Sequence, residues 1–264
     1  MRAGLIAAIS VLLIACISQS VSERTQPRLT TAALPSPTVV PTLTEPPPLS
    51  DAEIAAVESR TQKFREKPPE FGEVDFANST FPLRISGIQS LGPVKFKNGE
   101  YEYDSGPGST GWISFDDALF IDINRDSKKE AVVLATHVQC GGSCDGGASL
   151  ISIFSANGKR PVLLDQIETG SLGYGCGLRS LQIANKKITV EVFGNCRIEH
   201  NEMRINDNSI GNSKFQFSDT TKFVFAPIPK LKLQSREVTS TPVRSVMNYQ
   251  AIVSVSDALD SESQ

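Results

Sequence analysis

Residues 176–196, CGLRSLQIANKKITVEVFGNC, predict a β-hairpin whose open end carries two cysteines. Apolar residues alternate on both sides of a central Asn-Lys turn, and in the resulting register Ile183 faces Ile188. Cys176 and Cys196 then fall almost opposite each other. A disulfide between them would close the hairpin and stabilise the fold by on the order of 3 kcal/mol.

Further turn signals along the chain predict a mainly β domain of the α+β class, built as an antiparallel meander of hairpins. In the hairpin around the Asn-Gly turn at 98–99, Val94 is expected to face Tyr103 and Phe96 to face Tyr101. Comparable patterns occur at 118–138, at 150–167 and at 215–225, where a turn is expected over 218–221.

A single helix is expected at the start of this domain. Ser50 and Glu53 form an S-x-x-E capping box, which satisfies the free backbone amides at a helix N-terminus. Ile54, Val57 and Phe64 are spaced so that they can share one face of the helix.

The chain opens with an apolar run that predicts export. Residues 3–15 carry no charge and are too short to cross a bilayer as a helix, which is typical of a signal peptide. The run ends in Leu13-Ile14-Ala15-Cys16, which resembles the lipobox of bacterial lipoproteins. The resemblance implies that residues 1–15 are removed and that Cys16 is acylated. The protein would then be lipid-anchored in the cell membrane or outer membrane, facing the periplasm or the exterior.

Composition divides the rest of the chain into three segments. Residues 16–49 are rich in Pro, Thr and Ser, which predicts a disordered tether between the lipid and the domain. Residues 50–229 are expected to form a single β-rich globular domain that is braced by disulfides. Residues 230–264 contain many Ser, Thr and charged side chains without a clear period, which predicts a mostly disordered tail, although residues 246–255 could form a short helix or strand.

Net charge and cysteine content narrow the possible functions. The formal net charge of −3 argues against a nucleic-acid partner, which would require a basic face. With Cys16 set apart, four cysteines remain, and export favours disulfides over a zinc or copper site with the two histidines. We expect the local pairs Cys140–Cys144 and Cys176–Cys196. The alternative pairings would tie the two regions together.

The acidic loop at 122–130, DINRDSKKE, carries the clearest ligand motif in the chain. It resembles the calcium loop of FG-GAP (integrin-alpha-like) repeats, although Ser127 replaces the glycine of the sharp turn. The motif occurs once, so a propeller is not implied. A metal-free turn between two strands is the alternative interpretation. The resemblance implies a calcium ion held by Asp122, Asn124, Asp126, the backbone carbonyl of Lys128, and Glu130.

Aromatic residues beside glycine-rich loops could form a binding face for a glycan or a protein, although core or edge positions are the alternative. The acid pair Asp116-Asp117 could contribute to glycoside hydrolysis, but the sequence identifies no partner carboxylate for it. His137 ends a strand that is expected to be buried, which favours a hydrogen-bonded core position. The aromatic candidates are Tyr101, Tyr103, Trp112 and Tyr174.

These patterns favour a non-catalytic cell-envelope lipoprotein. Its domain would be a binding or structural module that contacts the membrane through its lipid and an envelope protein or glycan through its surface. Two alternatives are an envelope hydrolase and a calcium-responsive domain that uses the Asp122 loop.

Overall fold

Fourteen β-strands in three sheets and one α-helix are found in the computed structural model, which describes residues 50–85, 93–141, 144, 147–158, 160–206, 217–226, 230–243 and 251–256. All of them belong to one compact unit. The mainly β prediction is therefore confirmed. The predicted leader, Cys16 and the tether at 16–49 lie outside the described residues.

The helix α1 spans Asp51–Gln62, and a short 3-10 helix spans Pro69–Phe71. The strands are β1 (Thr80–Phe81), β2 (Val94–Lys95), β3 (Glu100–Gly106), β4 (Ser109–Ile121), β5 (Glu130–Cys140), β6 (Ala148–Ser155), β7 (Val162–Ser171), β8 (Leu178–Ala184), β9 (Lys187–Phe193), β10 (Cys196–Glu199), β11 (Glu202–Ile205), β12 (Phe217–Ala226), β13 (Lys232–Val243) and β14 (Ile252–Ser256).

Helix α1 begins at the predicted capping box. The Ser50 hydroxyl accepts a hydrogen bond from the Glu53 amide at 3.3 Å, and the Glu53 carboxylate accepts one from the Ser50 amide at 2.8 Å. Ile54 and Val57 remain partly exposed on the helix, whereas Phe64 lies beyond its end and is buried. Within the described ranges, no helix is long and apolar enough to span a membrane.

The two larger sheets are built mostly from neighbouring hairpins. The seven-stranded sheet has the order β10-β11-β7-β6-β5-β4-β3, and β3 to β7 form an antiparallel meander. The five-stranded sheet has the order β13-β12-β9-β8-β14. Its β8–β9 hairpin has the predicted register, with Ile183 opposite Ile188 and Leu181 opposite Val190. Strand β14 returns from the end of the chain to pair parallel with β8.

Each face of the seven-stranded sheet contributes to a separate core. The sandwich core lies between this sheet and the five-stranded sheet, and the N-terminal core lies between its other face and residues 71–85 and 94–96. The sandwich core includes Leu119, Val132, Ile151, Leu181, Val190 and Phe223. The N-terminal core includes Phe71, Phe76, Phe81, Ile113, Phe120 and Phe154.

Both predicted disulfides are confirmed. Cys176 and Cys196 are joined across the open end of the β8–β9 hairpin, with their Cα atoms 5.9 Å apart. Cys140 and Cys144 are joined across a short loop, with their Cα atoms 4.2 Å apart. The alternative pairings between the two regions are therefore wrong. A metal site formed by free thiols is also wrong.

The predicted hairpin over 94–103 is wrong beyond its turn. Only Lys97 and Glu100 bridge across the Asn-Gly turn, because β2 pairs with β1 and β3 pairs with β4. Val94 is opposite Phe81 instead of Tyr103. The turn itself is present, and both of its central residues have positive φ angles, as this tight turn requires.

The chain after residue 217 also differs from the prediction. The expected turn over 218–221 lies inside β12, where the buried Thr221 hydroxyl donates to the Gly194 carbonyl and accepts from the Cys196 amide. The segment predicted as a mostly disordered tail, 230–264, contains β13 and β14. These strands form because their backbone groups complete the ladders of β12 and β8.

Candidate functional site

A cavity of about 530 Å³ opens between α1, the seven-stranded sheet and β14. This volume is typical of small-molecule pockets. Apolar side chains form much of its wall: Ile54, Val57, Leu134, Leu172, Leu178, Ile252 and Val253. Polar and charged side chains also reach it: Glu58, Arg65, Asp116, Asp117, Thr136 and Ser149.

A β-bulge places two successive acidic residues in this cavity. Phe115 pairs with Ala135 and Asp117 pairs with Leu134, so Asp116 is an extra residue in β4. Side chains of a regular strand alternate between its faces, but a bulge redirects them. Asp116 and Asp117 therefore both reach the cavity.

Asp117 is held by a cation and by the backbone. The Arg65 Nε atom lies 2.8 Å from Asp117 Oδ2, and both side chains are partly exposed. The second oxygen, Oδ1, accepts a hydrogen bond from the Ala118 amide at 2.8 Å. Both oxygens of Asp117 are thus occupied, and its charge is balanced by Arg65.

Asp116 lies at the mouth of the cavity and bonds only a neutral group among the described residues. The Thr136 hydroxyl donates to Asp116 Oδ2 at 2.7 Å. The cavity walls remove part of the water around the carboxyl, which raises the pKa of Asp116. The Thr136 hydrogen bond opposes this shift, and the nearby Asp117 charge adds to it.

A buried chain of polar groups crosses the other face of the same sheet. Tyr103 Oη lies 2.6 Å from His137 Nε2, and His137 Nδ1 lies 3.2 Å from Glu168 Oε1. All three residues are buried. Burial first, and then the charges of Glu168 and Tyr101, raise the pKa of Tyr103 to about 12. Because an ionised carboxylate only accepts, His137 donates from Nδ1 to Glu168, and in that neutral tautomer Nε2 accepts from the Tyr103 hydroxyl.

Gly111 makes room for this chain. Tyr103 pairs with Gly111 across β3 and β4. A Cβ atom at Gly111 would lie 2.3 Å from Tyr103 Cζ and Oη. The Tyr103 ring thus passes over β4 at a position without a side chain and reaches His137 on β5.

The four predicted aromatic residues do not form one face. The Tyr101 and Tyr103 rings stack with centroids 6.2 Å apart, and Tyr103 is only 8% exposed, so its assignment to a binding face is wrong. Trp112 follows Gly111 and points to the opposite side of the sheet. Trp112 is 36% exposed, and Tyr174 is 49% exposed in the turn after β7.

The acidic loop connects β4 and β5 and is braced by its own backbone. Asp122 accepts hydrogen bonds from the Arg125 and Ser127 amides at 2.7 and 3.1 Å. Asp126 accepts one from the Lys128 amide at 2.8 Å. Arg125 and Ser127 both have positive φ angles, near 70°, so the sharp turn forms without the glycine of the FG-GAP pattern.

Asn124 and Glu130 complete the loop. The Asp126 amide donates to Asn124 Oδ1, so the Asn124 Nδ2 group points towards Asp126 and Glu130, at 3.3 and 2.8 Å. Burial raises the pKa of Glu130 to about 7, the Ile123 amide opposes the shift, and the Asp126 and Asp122 charges add to it. In the part of the chain that the structure describes, no three His, Cys, Asp or Glu residues group as a metal site requires.

Several site residues could not be singled out from the sequence. Glu58, Arg65 and Thr136 reach the cavity only because distant segments meet there. One signal was present: two acidic residues follow one another inside an apolar strand, which breaks the expected alternation at Asp116 and Asp117.

Comparison with known proteins identifies no relative of this chain. It matches no protein-family model, no curated protein and no solved structure. The chemistry of the cavity must therefore be inferred from its own residues.

Proposed function

We propose that this protein is a lipid-anchored envelope protein whose β domain is a non-catalytic binding module for another envelope component. The pair of disulfides carries the proposal, because such bonds persist in exported proteins. Export is also what the apolar leader and Cys16 imply. Residues 16–49 would then be the tether between the lipid and the domain.

The chemistry of the cavity favours binding over the hydrolase alternative. Asp117 is neutralised by Arg65, and Asp116 is fixed by the Thr136 hydroxyl. The only histidine chain seen in the described segments is buried on the other face of the sheet. Its Tyr103 hydroxyl has a raised pKa, which is the opposite of an activated nucleophile. An envelope protein or a glycan is the expected class of partner.

Cys16→Ser is expected to release the protein from the membrane, because the acyl chains supply the anchor. In fractionated cells the native chain should sediment with membranes, resist extraction by high salt and dissolve in detergent. The variant should not incorporate an alkyne analogue of palmitate.

Cys144→Ser is the matched control, because it also removes one cysteine sulfur, lies at an exposed position and leaves the lipobox intact. It should remain in the membrane fraction and incorporate the lipid analogue. Recovery of Cys16→Ser in the membrane fraction at native levels would contradict the proposed anchor.

A calcium-responsive role is the second candidate, and it is supported by the crowding of carboxylates in the acidic loop. Burial first, and then the charges of Asp126 and Asp122, raise the pKa of Glu130, and a cation would relieve the repulsion among these carboxylates. To bind calcium, Asn124 would have to turn its amide nitrogen away from Asp126 and Glu130, which it now contacts.

Calcium at about 100 times its dissociation constant is expected to raise the melting temperature by roughly 5–10 °C relative to EDTA. Thermal unfolding followed by circular dichroism measures the shift. Asp126→Asn should remove it, whereas Asp75→Asn, in the segment before β1, should leave it unchanged. Equal melting temperatures in calcium and EDTA would rule out this second candidate.

A further inference from the structure

Apolar residues from five separate segments line much of the cavity. Leu134 and Leu178 are buried at 5% and 6% exposure and form part of its floor. Ile54 contributes from α1 while remaining 40% exposed, and Val253 contributes from β14. An alkyl or aryl group placed here would be removed from water, at about 25 cal/mol for each Å² buried.

The charged groups that line the cavity are unbalanced. Arg65 is paired with Asp117, which leaves Glu58 and Asp116 as the remaining ionisable groups of the lining. Among the residues that the structure describes, neither Glu58 nor Asp116 contacts a cation. An anionic ligand would be repelled by these two carboxylates, whereas a cation would balance them.

The sheet face beside the cavity also carries groups that attract cations. Trp112 on β4 pairs with Val138 on β5. Thr136 lies two residues from Val138 on the same face of β5, and it lines the cavity. On the neighbouring strand β3, the residue opposite Trp112 is the exposed Glu102. A partly exposed indole beside a carboxylate attracts organic cations through its ring face.

We propose that this cavity binds a small organic cation with an apolar stem, of the alkylammonium class. The ammonium group would lie between Asp116 and Glu58, and the stem would pack against Ile54, Val57 and Leu178. This inference rests on the proposed role of the domain as a binding module, and it adds a small-molecule ligand to the expected envelope protein or glycan.

Hexylammonium chloride is the probe for this proposal, and the full chain in non-ionic detergent is the protein. Titration calorimetry, with the detergent alone as a blank, gives the affinity. The single tryptophan of the chain, Trp112, gives an independent fluorescence signal near the site. We expect hexylammonium to bind about 100-fold more tightly than hexanol, since each of its two charge-assisted contacts is worth roughly 1.5 kcal/mol. Hexanoate and ammonium ion should show no saturable binding.

Substitutions then distinguish the effect of the two carboxylates on binding from the effect of general surface charge. Asp116→Asn and Glu58→Gln should each weaken hexylammonium binding by about tenfold and leave hexanol binding unchanged. Glu66→Gln is the matched control, because Glu66 is exposed just beyond α1 and does not line the cavity. It should bind like the native chain.

Three results would overturn the proposal: equal affinities for hexylammonium and hexanol, equal losses in Glu66→Gln and Asp116→Asn, or no saturable binding of hexylammonium. None of these results alters the membrane fractionation of Cys16→Ser. Failure of the ligand class is thereby distinguished from failure of the proposed envelope anchor.

Discussion

Replacing both Cys176 and Cys196 with alanine is expected to lower the free energy of unfolding by about 3 kcal/mol, whereas the same change at Cys140 and Cys144 should cost about 2 kcal/mol. The difference arises because the first disulfide joins residues 20 positions apart and the second joins residues 4 positions apart. Closing a longer loop removes more conformational entropy from the unfolded chain.

Burial adds to the effect at the longer loop. Cys176 and Cys196 are both 0% exposed and belong to the sandwich core. The Cys196 amide also bonds the buried Thr221 hydroxyl, so any shift of this residue disturbs β12. Cys144 lies on the exposed surface, where its loss leaves no cavity in a core. The measured cost at the first pair should therefore exceed the entropic value alone.

Urea unfolding of the full chain without reductant measures both costs. Serine at positions 176 and 196 should be worse than alanine, because it would bury two hydroxyl groups among apolar side chains. Serine and alanine should be equivalent at the exposed Cys144. Equal losses from the two disulfides would contradict the argument from loop length and burial.

Hairpins whose turns and side-chain alternation agree could be predicted from the sequence. Ile183 and Ile188 flank a two-residue turn, so the turn alone sets the register of β8 and β9. The same local rule failed at the hairpin over 94–103. There Val94 pairs with Phe81, a residue from an earlier segment, and no local pattern reveals that competing partner.

The candidate site depended on contacts that local patterns cannot show. Arg65 and Asp117 are 52 positions apart, and their ion pair forms only because the chain after α1 crosses β4. Val253 reaches the cavity from a strand that pairs parallel with β8, far earlier in the chain. The tail was predicted to be disordered because it shows no clear apolar periodicity. A strand that completes an existing sheet requires little periodicity of its own, so the prediction failed there.

Gly111→Ala is expected to lower the free energy of unfolding by roughly 2–4 kcal/mol. The new methyl group would lie 2.3 Å from the Tyr103 ring, so the ring must move. Its hydroxyl then leaves His137 Nε2, which is buried and would lose its partner. The backbone is not the cause, because Gly111 is not among the residues with a positive φ angle.

A double-mutant cycle tests this explanation. Gly111→Ala should cost little in a Tyr103→Leu background, because the shorter side chain does not cross the glycine. Ultraviolet titration of tyrosine supplies a second readout: the pKa of Tyr103, about 12 in the native chain, should fall towards 10 when Gly111→Ala moves the ring towards water. The same loss of stability in both backgrounds would mean that Gly111 acts through another neighbour. If the cycle instead shows strong coupling, Gly111 is required for the Tyr103–His137–Glu168 chain that links β3, β5 and β7 beneath the cavity face of the sheet.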